Sequence, residues 1–462
     1  MSSAAPCRSL PLWVSCTAQL LVVLDVSVVN VALPSIRADL AIGPALSAWV
    51  ALAYTLGFAG ALLAGARLAD VFGTGVVLPW GLALFTLAGT LGGLAPDGAV
   101  LVGARAVQGL CAAVVSPATF ALLTTAFAEG RERIRAVAAW TAVSLAGGGI
   151  GNILSGALTD LVSWRAVLLI NLPIGGAVLV GAVLLRRRTP AGGKRARIDP
   201  AGALLATAGL TCAAYALSAV GEGATAASGA AAAAGAVLFA LFLAHQRRTD
   251  HPLVPPGLLR NRAVVCGNIA TVLAGTCFQV ALWYFLTFRM QGQLGFSALQ
   301  AGFAFLPLTA AMLAVNTWIT PRLMERLRPR ALVGLGAVLA SFGLVWLGLG
   351  GAGQFVSALL GPSLVIGIGG GLLNTPLATA VTTGVPADEA GAASGLMNTG
   401  KQFGGALGLA AASAAAAASG TDRGAFLLLA GLVAAAAVAA ALLPAGRPVH
   451  PPVEPAARRD AR

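Results

Sequence analysis

Residues Leu20–Pro34 read LLVVLDVSVVNVALP, an apolar run with a single acid, Asp25, in its middle. A stretch this apolar belongs inside a bilayer. A carboxylate at that depth costs about 2.5–3.5 kcal/mol on insertion scales, so it is seldom left there without a use. Its side chain is too short to reach a headgroup easily from this position. Asp25 therefore reads as a functional acid, and the competing reading is a carboxylate held in a permanent structural pair.

The rest of the chain agrees with a bilayer setting. Of its 462 residues, 58% are hydrophobic and 10% are charged, against about 25% charged in soluble domains. The mean hydropathy is +0.87. These values exclude a soluble globular protein and indicate a polytopic, all-α membrane protein. The 59 glycines suit it, because helices in lipid associate by close packing rather than by hydrophobic drive. The net charge of +13 would suggest nucleic acid in a soluble chain. Here the charge falls in the loops, and no nucleic-acid partner is expected. The six cysteines are scattered, and no Cys/His cluster with ligand spacing occurs. No metal and no cofactor are therefore expected. The three histidines, His245, His251 and His450, sit in polar stretches and read as solvated.

Apolar runs of about 20 residues, enough to span, fall near 11–33, 47–68, 76–95, 99–125, 136–158, 165–185, 200–221, 229–246, 264–288, 299–320, 331–350, 355–380, 394–418 and 424–443. That is fourteen spans. With the N-terminus inside, 23 of the 29 basic residues fall in cytoplasmic segments. They include Arg67, Arg131, Arg186, Lys194, Arg322 and Arg330. Four, Arg37, Arg165, Arg289 and Arg423, fall outside. The bias satisfies the positive-inside rule and places both termini in the cytoplasm.

An internal repeat appears at an offset of 255 residues: Arg67, Leu68, Asp70 and Gly81 return as Arg322, Leu323, Glu325 and Gly336. Ser116-Pro117 is echoed by Thr375-Pro376. Weak repeats of this kind are characteristic of two-half transporters. The expected organisation is a six-helix half at 1–190, two inserted helices with cytoplasmic linkers at 191–262, a second six-helix half at 263–445 and a cytoplasmic tail at 446–462.

Several residues carry candidate chemistry. Arg105, in LVGARAVQG of the fourth span, lies ~9 Å below the outer surface, and Asp25 lies ~12 Å below it. Opposite charges at similar depth can pair, which makes both tolerable. They can also exchange partners when Asp25 gains or loses a proton, provided that Asp25 reaches the water of a central cavity. The fifth span, AGGGIGNILSGAL, carries Gly147, Gly151 and Gly156 at spacings that permit close helix contact. In the thirteenth, Lys401 and Gln402 stand among glycines, and a lysine there needs a cavity, a partner or the surface. Asp70, in the turn GARLADVFG, is placed to cap a neighbouring helix and hold an inner gate shut. Arg289, at the outer end of the ninth span, is expected to snorkel.

Taken together, LDVSVVNVALP, LVGARAVQGLCAA, WRAVLLINLPIG, HPLVPPGLLRNRAV and ASGLMNTGKQFGGALG resemble the fourteen-helix drug/proton antiporters of the major facilitator superfamily. The resemblance runs from about residue 11 to 443. It implies a major facilitator fold, with Asp25 as a coupling or substrate-recognising acid and Arg105 as a proton-relay arginine. Gly147–Gly156 would be the antiporter motif and Asp70 part of the gating turn. Asn30, Gln108 and Asn152 complete the cavity or gating candidates. Two departures stand out. The gating turn has Val71, Thr74 and Gly75 where the family carries basic residues. The antiporter motif reads Gly151-Asn152 and Ser155-Gly156 where the family has Gly-Pro and Gly-Gly, and losing that proline removes a kink.

The expected function is proton-coupled export of amphipathic organic compounds across the inner membrane by a monomer. An uptake symporter or an uncoupled facilitator is the nearest alternative. A membrane-embedded enzyme would need a paired-acid, His-rich or Ser/His/Asp set facing one cavity. The spans show no such set, so catalysis is not expected.

Overall fold

The computed structural model describes residues 6–128, 130–186, 199–220, 223, 225–249, 252–253, 256–350, 356–382, 385–386 and 389–443. The basic linker around Lys194, the tail 446–462, His251 and His450 lie outside the described residues. Long helices follow one another: α1 (Pro6–Asp39), α2 (Pro44–Phe72), α3 (Thr74–Gly93), α4 (Gly98–Ala126) and α5 (Arg131–Leu161). Next come α6 (Trp164–Arg186), α7 (Pro200–Val220), α8 (Ala226–Arg248), α9 (Arg262–Gln293), α10 (Ala298–Met324), α11 (Pro329–Leu349) and α12 (Ala358–Thr382). The last two are α13 (Ala390–Ser419) and α14 (Asp422–Ala441). Thirteen of these are long and apolar enough to cross a membrane. The other, α13, is 30 residues long and begins with the polar stretch around Asn398, Lys401 and Gln402. Among the described residues there is no strand.

Local sequence explains the helix ends. Asp97 caps α4, its Oδ1 accepting from the Val100 amide at 2.9 Å. Thr225 and Ser228 form a capping box that starts α8. Gly73, at φ 80°, makes the turn between α2 and α3 that a side chain would strain. In α3, Trp80, Leu84, Leu87 and Leu91 are exposed while Leu78, Leu82 and Phe85 are buried. One face is thus turned to lipid and the other to the bundle.

Helix pairings repeat with an offset of eight helices. α1 packs on α5 as α9 packs on α13, α2 on α4 as α10 on α12, and α3 on α6 as α11 on α14. The contacts are made through glycine. A Cβ on Gly109 would lie 2.1 Å from the Tyr54 carbonyl, and one on Gly408 would lie 2.1 Å from the Thr276 carbonyl. The pair α7–α8 packs on itself and, through α7, against α2 and α13. Most of α8 faces outward.

At the basic end, Asp199 fastens this pair. Its Oδ1 accepts from the Gly202 amide at 2.8 Å and lies 2.7 Å from His245 Nε2, and its Oδ2 accepts from Gln246 Nε2 at 2.7 Å. His245 is thus engaged rather than solvated, because the end of α8 returns beside the start of α7.

Candidate functional site

The two charges expected to meet do so. An Arg105 Nη1–H donates to Asp25 Oδ2, forming a buried ion pair. Asp25 Oδ1 also accepts from Gln108 Nε2 at 2.8 Å and from Asn171 Nδ2 at 2.7 Å. Arg105 in turn reaches Gln108 Oε1 at 2.9 Å and the Val50 carbonyl at 3.4 Å. Its guanidinium sits over the Tyr54 ring, 4.4 Å from the centroid. Asp25 is 0% exposed and Arg105 is 2% exposed. Space for the amides comes from α3: a Cβ on Gly89 would lie 2.9 Å from both Asn171 Nδ2 and Gln108 Nε2. The node therefore joins α1, α2, α4 and α6 and carries no net charge. Every donor aimed at the carboxylate is satisfied, which makes such a pair tolerable in a low dielectric.

A cavity of about 470 Å³ lies between the first six helices and the last six. Its wall on α1 is Gln19, Val22, Val23, Val26, Ser27 and Asn30, a stripe at helical spacing. Asn152 contributes from α5, and Asn316, Asn374, Asn398 and Gln402 from the last six helices. Phe58, Trp140, Phe278 and Trp283 supply aromatic surface. No charged side chain is among the described wall residues. The cavity runs from mid-α1 toward the end that carries the α2–α3 and α4–α5 turns.

The opposite end is closed. Asp160, at the end of α5, accepts from the first amides of α10, Ala298 at 3.2 Å and Leu299 at 2.9 Å. Gln291 Nε2 donates to the Val31 carbonyl at 2.8 Å. The Arg37 guanidinium lies 5.9 Å from the centroid of the Phe288 ring.

The candidates read from sequence fall into separate places. Asn30, Asn152 and Gln402 line the cavity. Asp25, Arg105 and Gln108 do not. Asp25 stands two residues from both Val23 and Ser27, so it projects from the far side of α1, and direct substrate contact through Asp25 is not what this geometry provides.

Gly147, Gly151 and Gly156 form contacts rather than wall. Added Cβ atoms there would lie 3.1 Å from Leu20 and Val23 side-chain carbons, 2.8 Å from Ser27 Oγ and 2.5 Å from the Ala298 carbonyl, respectively. With Asn in place of the family's proline, α5 runs unbroken over 31 residues.

Lys401 sits one step behind the wall, with Nζ 2.6 Å from Asn374 Oδ1. Asp70 is exposed and does not cap α3, whose first turn has no side-chain cap. The helix α2 simply extends past the acid to Phe72.

Arg289 does not snorkel. It is 7% exposed and grips Asp422 with Nε at 2.7 Å and Nη2 at 2.9 Å, while Nη1 donates to the Leu347 carbonyl at 2.6 Å. A partly buried carboxylate on α14 supplies what headgroups would have supplied.

Residues missed from sequence are chiefly amides and rings. Asn171 lies inside the quoted stretch WRAVLLINLPIG, where an amide after five apolar residues was the available signal. Tyr54, Asn316 and Asn374 carry no charge and no motif of their own, and Asn398 stands within the quoted ASGLMNTGKQFGGALG without a charge to single it out.

Comparison with known proteins agrees with this architecture. The Major Facilitator Superfamily profile matches residues 15–409. The chain is 48% identical over 406 residues to the cephamycin export protein CmcT of Amycolatopsis lactamdurans, covering 86% of this chain and 83% of that protein. It is 39% identical over 412 residues to the puromycin resistance protein pur8 of Streptomyces alboniger, covering 88% and 81%. Among solved structures, the POT family transporter PepTSo superposes with a TM-score of 0.70 at 15% identity, covering 94% of this chain and 97% of that one, which speaks for the fold. The chain is a multi-pass membrane protein and belongs to the Major Facilitator Superfamily.

Proposed function

We propose that the protein exports amphipathic organic compounds of the antibiotic type across the cytoplasmic membrane by alternating access, driven by proton entry. The observation that carries this reading is the cavity of about 470 Å³ between the two sets of six helices, bounded at one end by the Asp160 and Gln291 contacts. Its amides and aromatic rings suit a molecule with both hydrogen-bonding groups and apolar faces. The names of its relatives, cephamycin export and puromycin resistance, support efflux. The protein acts as a monomeric transporter rather than an enzyme, in the plasma membrane, with both termini cytoplasmic.

The node of Asp25, Arg105, Gln108 and Asn171 is the coupling element in this reading. It is buried away from the cavity in this state, so in this reading Asp25 exchanges its proton in another state of the cycle, in which water reaches it. Protonation of Asp25 would remove the partner of Arg105 and loosen α1 from α4 and α6. The movement thereby triggered shifts the cavity wall, because the wall and the node share α1.

The test is transport in everted membrane vesicles with an imposed pH gradient, using a cephamycin. Uptake into the vesicles at the expense of the gradient is the expected result, and Asp25→Asn should abolish it while the protein still inserts. Movement in the other direction would make the protein an uptake symporter, and gradient-independent movement a facilitator. Full coupled transport by Asp25→Asn would remove Asp25 from the mechanism.

A further inference from the structure

The polar groups of the cavity wall are neutral among the described residues, but a cation stands directly behind it. Lys401 lies on α13 between two wall residues, Asn398 and Gln402. Its Nζ donates to Oδ1 of a third, Asn374, at 2.6 Å. No carboxylate pairs with Lys401 among the described residues. The other two cations buried in the bundle differ from it: Arg105 is neutralised by Asp25 and Arg289 by Asp422. Among the described residues, Lys401 is thus the cation next to the cavity with no acid against it. An uncompensated ammonium among apolar helices is costly, and it is retained where an anion or water shares its site.

The position of Lys401 is fixed by packing. A Cβ on Gly275 of α9 would lie 2.6 Å from the Lys401 carbonyl, and one on Gly404 would lie 2.1 Å from the Val272 carbonyl. Backbone contact at Lys401 and at Gly404 thus holds this turn of α13 against α9. From that turn the side chain spans to Asn374 on α12. An anion entering between Asn374, Asn398 and Gln402 would meet amide N–H donors and the ammonium together.

We infer that Lys401 is a specificity-determining residue that selects cargo carrying a carboxylate, with Asn374 as its neutral placeholder when the cavity is empty. The carboxylate takes over the hydrogen bond that Asn374 Oδ1 receives, and the apolar body of the molecule lies against Trp140, Phe278 and Trp283. A cationic drug would meet repulsion at the same point. This inference deepens the export reading and rests on it for the direction of transport. The binding measurement below does not depend on direction, so the two can fail separately.

The test uses purified full-length protein in uncharged detergent and two fluorescent probes that differ in one group, dansylglycine and dansylglycinamide. Binding is followed by dansyl emission after subtraction of protein-free micelles. The wild type should bind the acid at least about tenfold more tightly than the amide, as expected for a charge-assisted hydrogen bond. Lys401→Met should erase that preference, and Lys401→Arg should keep most of it. The acid–amide comparison on the wild type needs no variant, so a poorly folded Lys401→Met leaves the inference open to refutation. Equal binding of the two probes, no binding of either, or a preference that survives in a folded Lys401→Met would each overturn it. Loss of the preference on adding phosphatidylglycerol to the micelles would give the site to a lipid headgroup and overturn the cargo assignment.

Discussion

Asp25 and Ser27 are two residues apart on α1, yet they face opposite ways: Ser27 lines the central cavity while Asp25 is sealed against Arg105 on the other side. One helix thus carries the substrate surface on one face and the ion pair on the other. Force applied to either face is felt by both, since the helix between them is rigid.

Removing one member of that pair should unbalance it. Asp25→Ala leaves Arg105 buried without its carboxylate, a loss of about 3–5 kcal/mol. Thermal unfolding in detergent should show a clearly lower Tm. The double variant Asp25→Leu with Arg105→Met should recover much of it and remain unable to use a pH gradient. A double variant as unstable as Asp25→Ala would mean that the node is not held mainly by the charge pair.

A second prediction concerns Arg289 and Asp422. Their two-point contact joins α9 to α14 and, through Leu347, to α11. Arg289→Ala should lower the Tm, by less than Asp25→Ala, because the stranded Asp422 is 16% exposed and keeps Gln293 as a partner. Arg289→Lys should also be less stable than wild type, because an ammonium cannot reproduce the planar fork. Comparable Tm values for Arg289→Lys and wild type would argue for a simple charge requirement.

The closed end should be opened by bulk at the seam of α5 and α10. A Cβ on Gly302 would lie 2.6 Å from the Asn152 carbonyl, so Gly302→Val cannot fit without separating the helices. Spin labels at Val162 and Leu294, near the ends that meet there, should report a longer distance population in the variant. An unchanged distribution would show that the seam yields elsewhere.

Acid should release the clasp of α7 and α8. Burial by itself raises the Asp199 carboxyl, but the Gly202 amide, His245 and Gln246 outweigh it and hold the carboxyl below its usual range. A depressed folded-state value stabilises the fold above the unfolded value, near 3.9, and that stability is lost as pH falls through the folded value. The Tm gap between wild type and Asp199→Asn should thus be present at pH 7 and shrink below about pH 4. A gap that persists in acid would assign it to packing.

Much of the fold was legible because hydropathy and loop charge are one-dimensional signals. The depth of Asp25 and Arg105 was legible too, since rise per residue converts position into height. What height does not give is rotation. The sequence could place Asp25 at the level of a cavity but not say which side of α1 would face it. Arg289 illustrates the same limit: its partner, Asp422, lies 133 residues away, and a cation near a helix end reads as snorkelling until that partner is seen. Amides such as Asn374 and Asn171 were hard to single out because their value lies in what they touch.

The contacts between α5 and α10 are made of backbone. Gly156 lies against Ala298 and Leu299, and Gly302 lies against Asn152 and Ile153. Once Asp160 releases the Ala298 and Leu299 amides, these backbone surfaces can part without leaving sockets behind. They behave as a plain bearing, on which two bodies can tilt through many cycles with little friction, and at that seam smoothness matters more than grip.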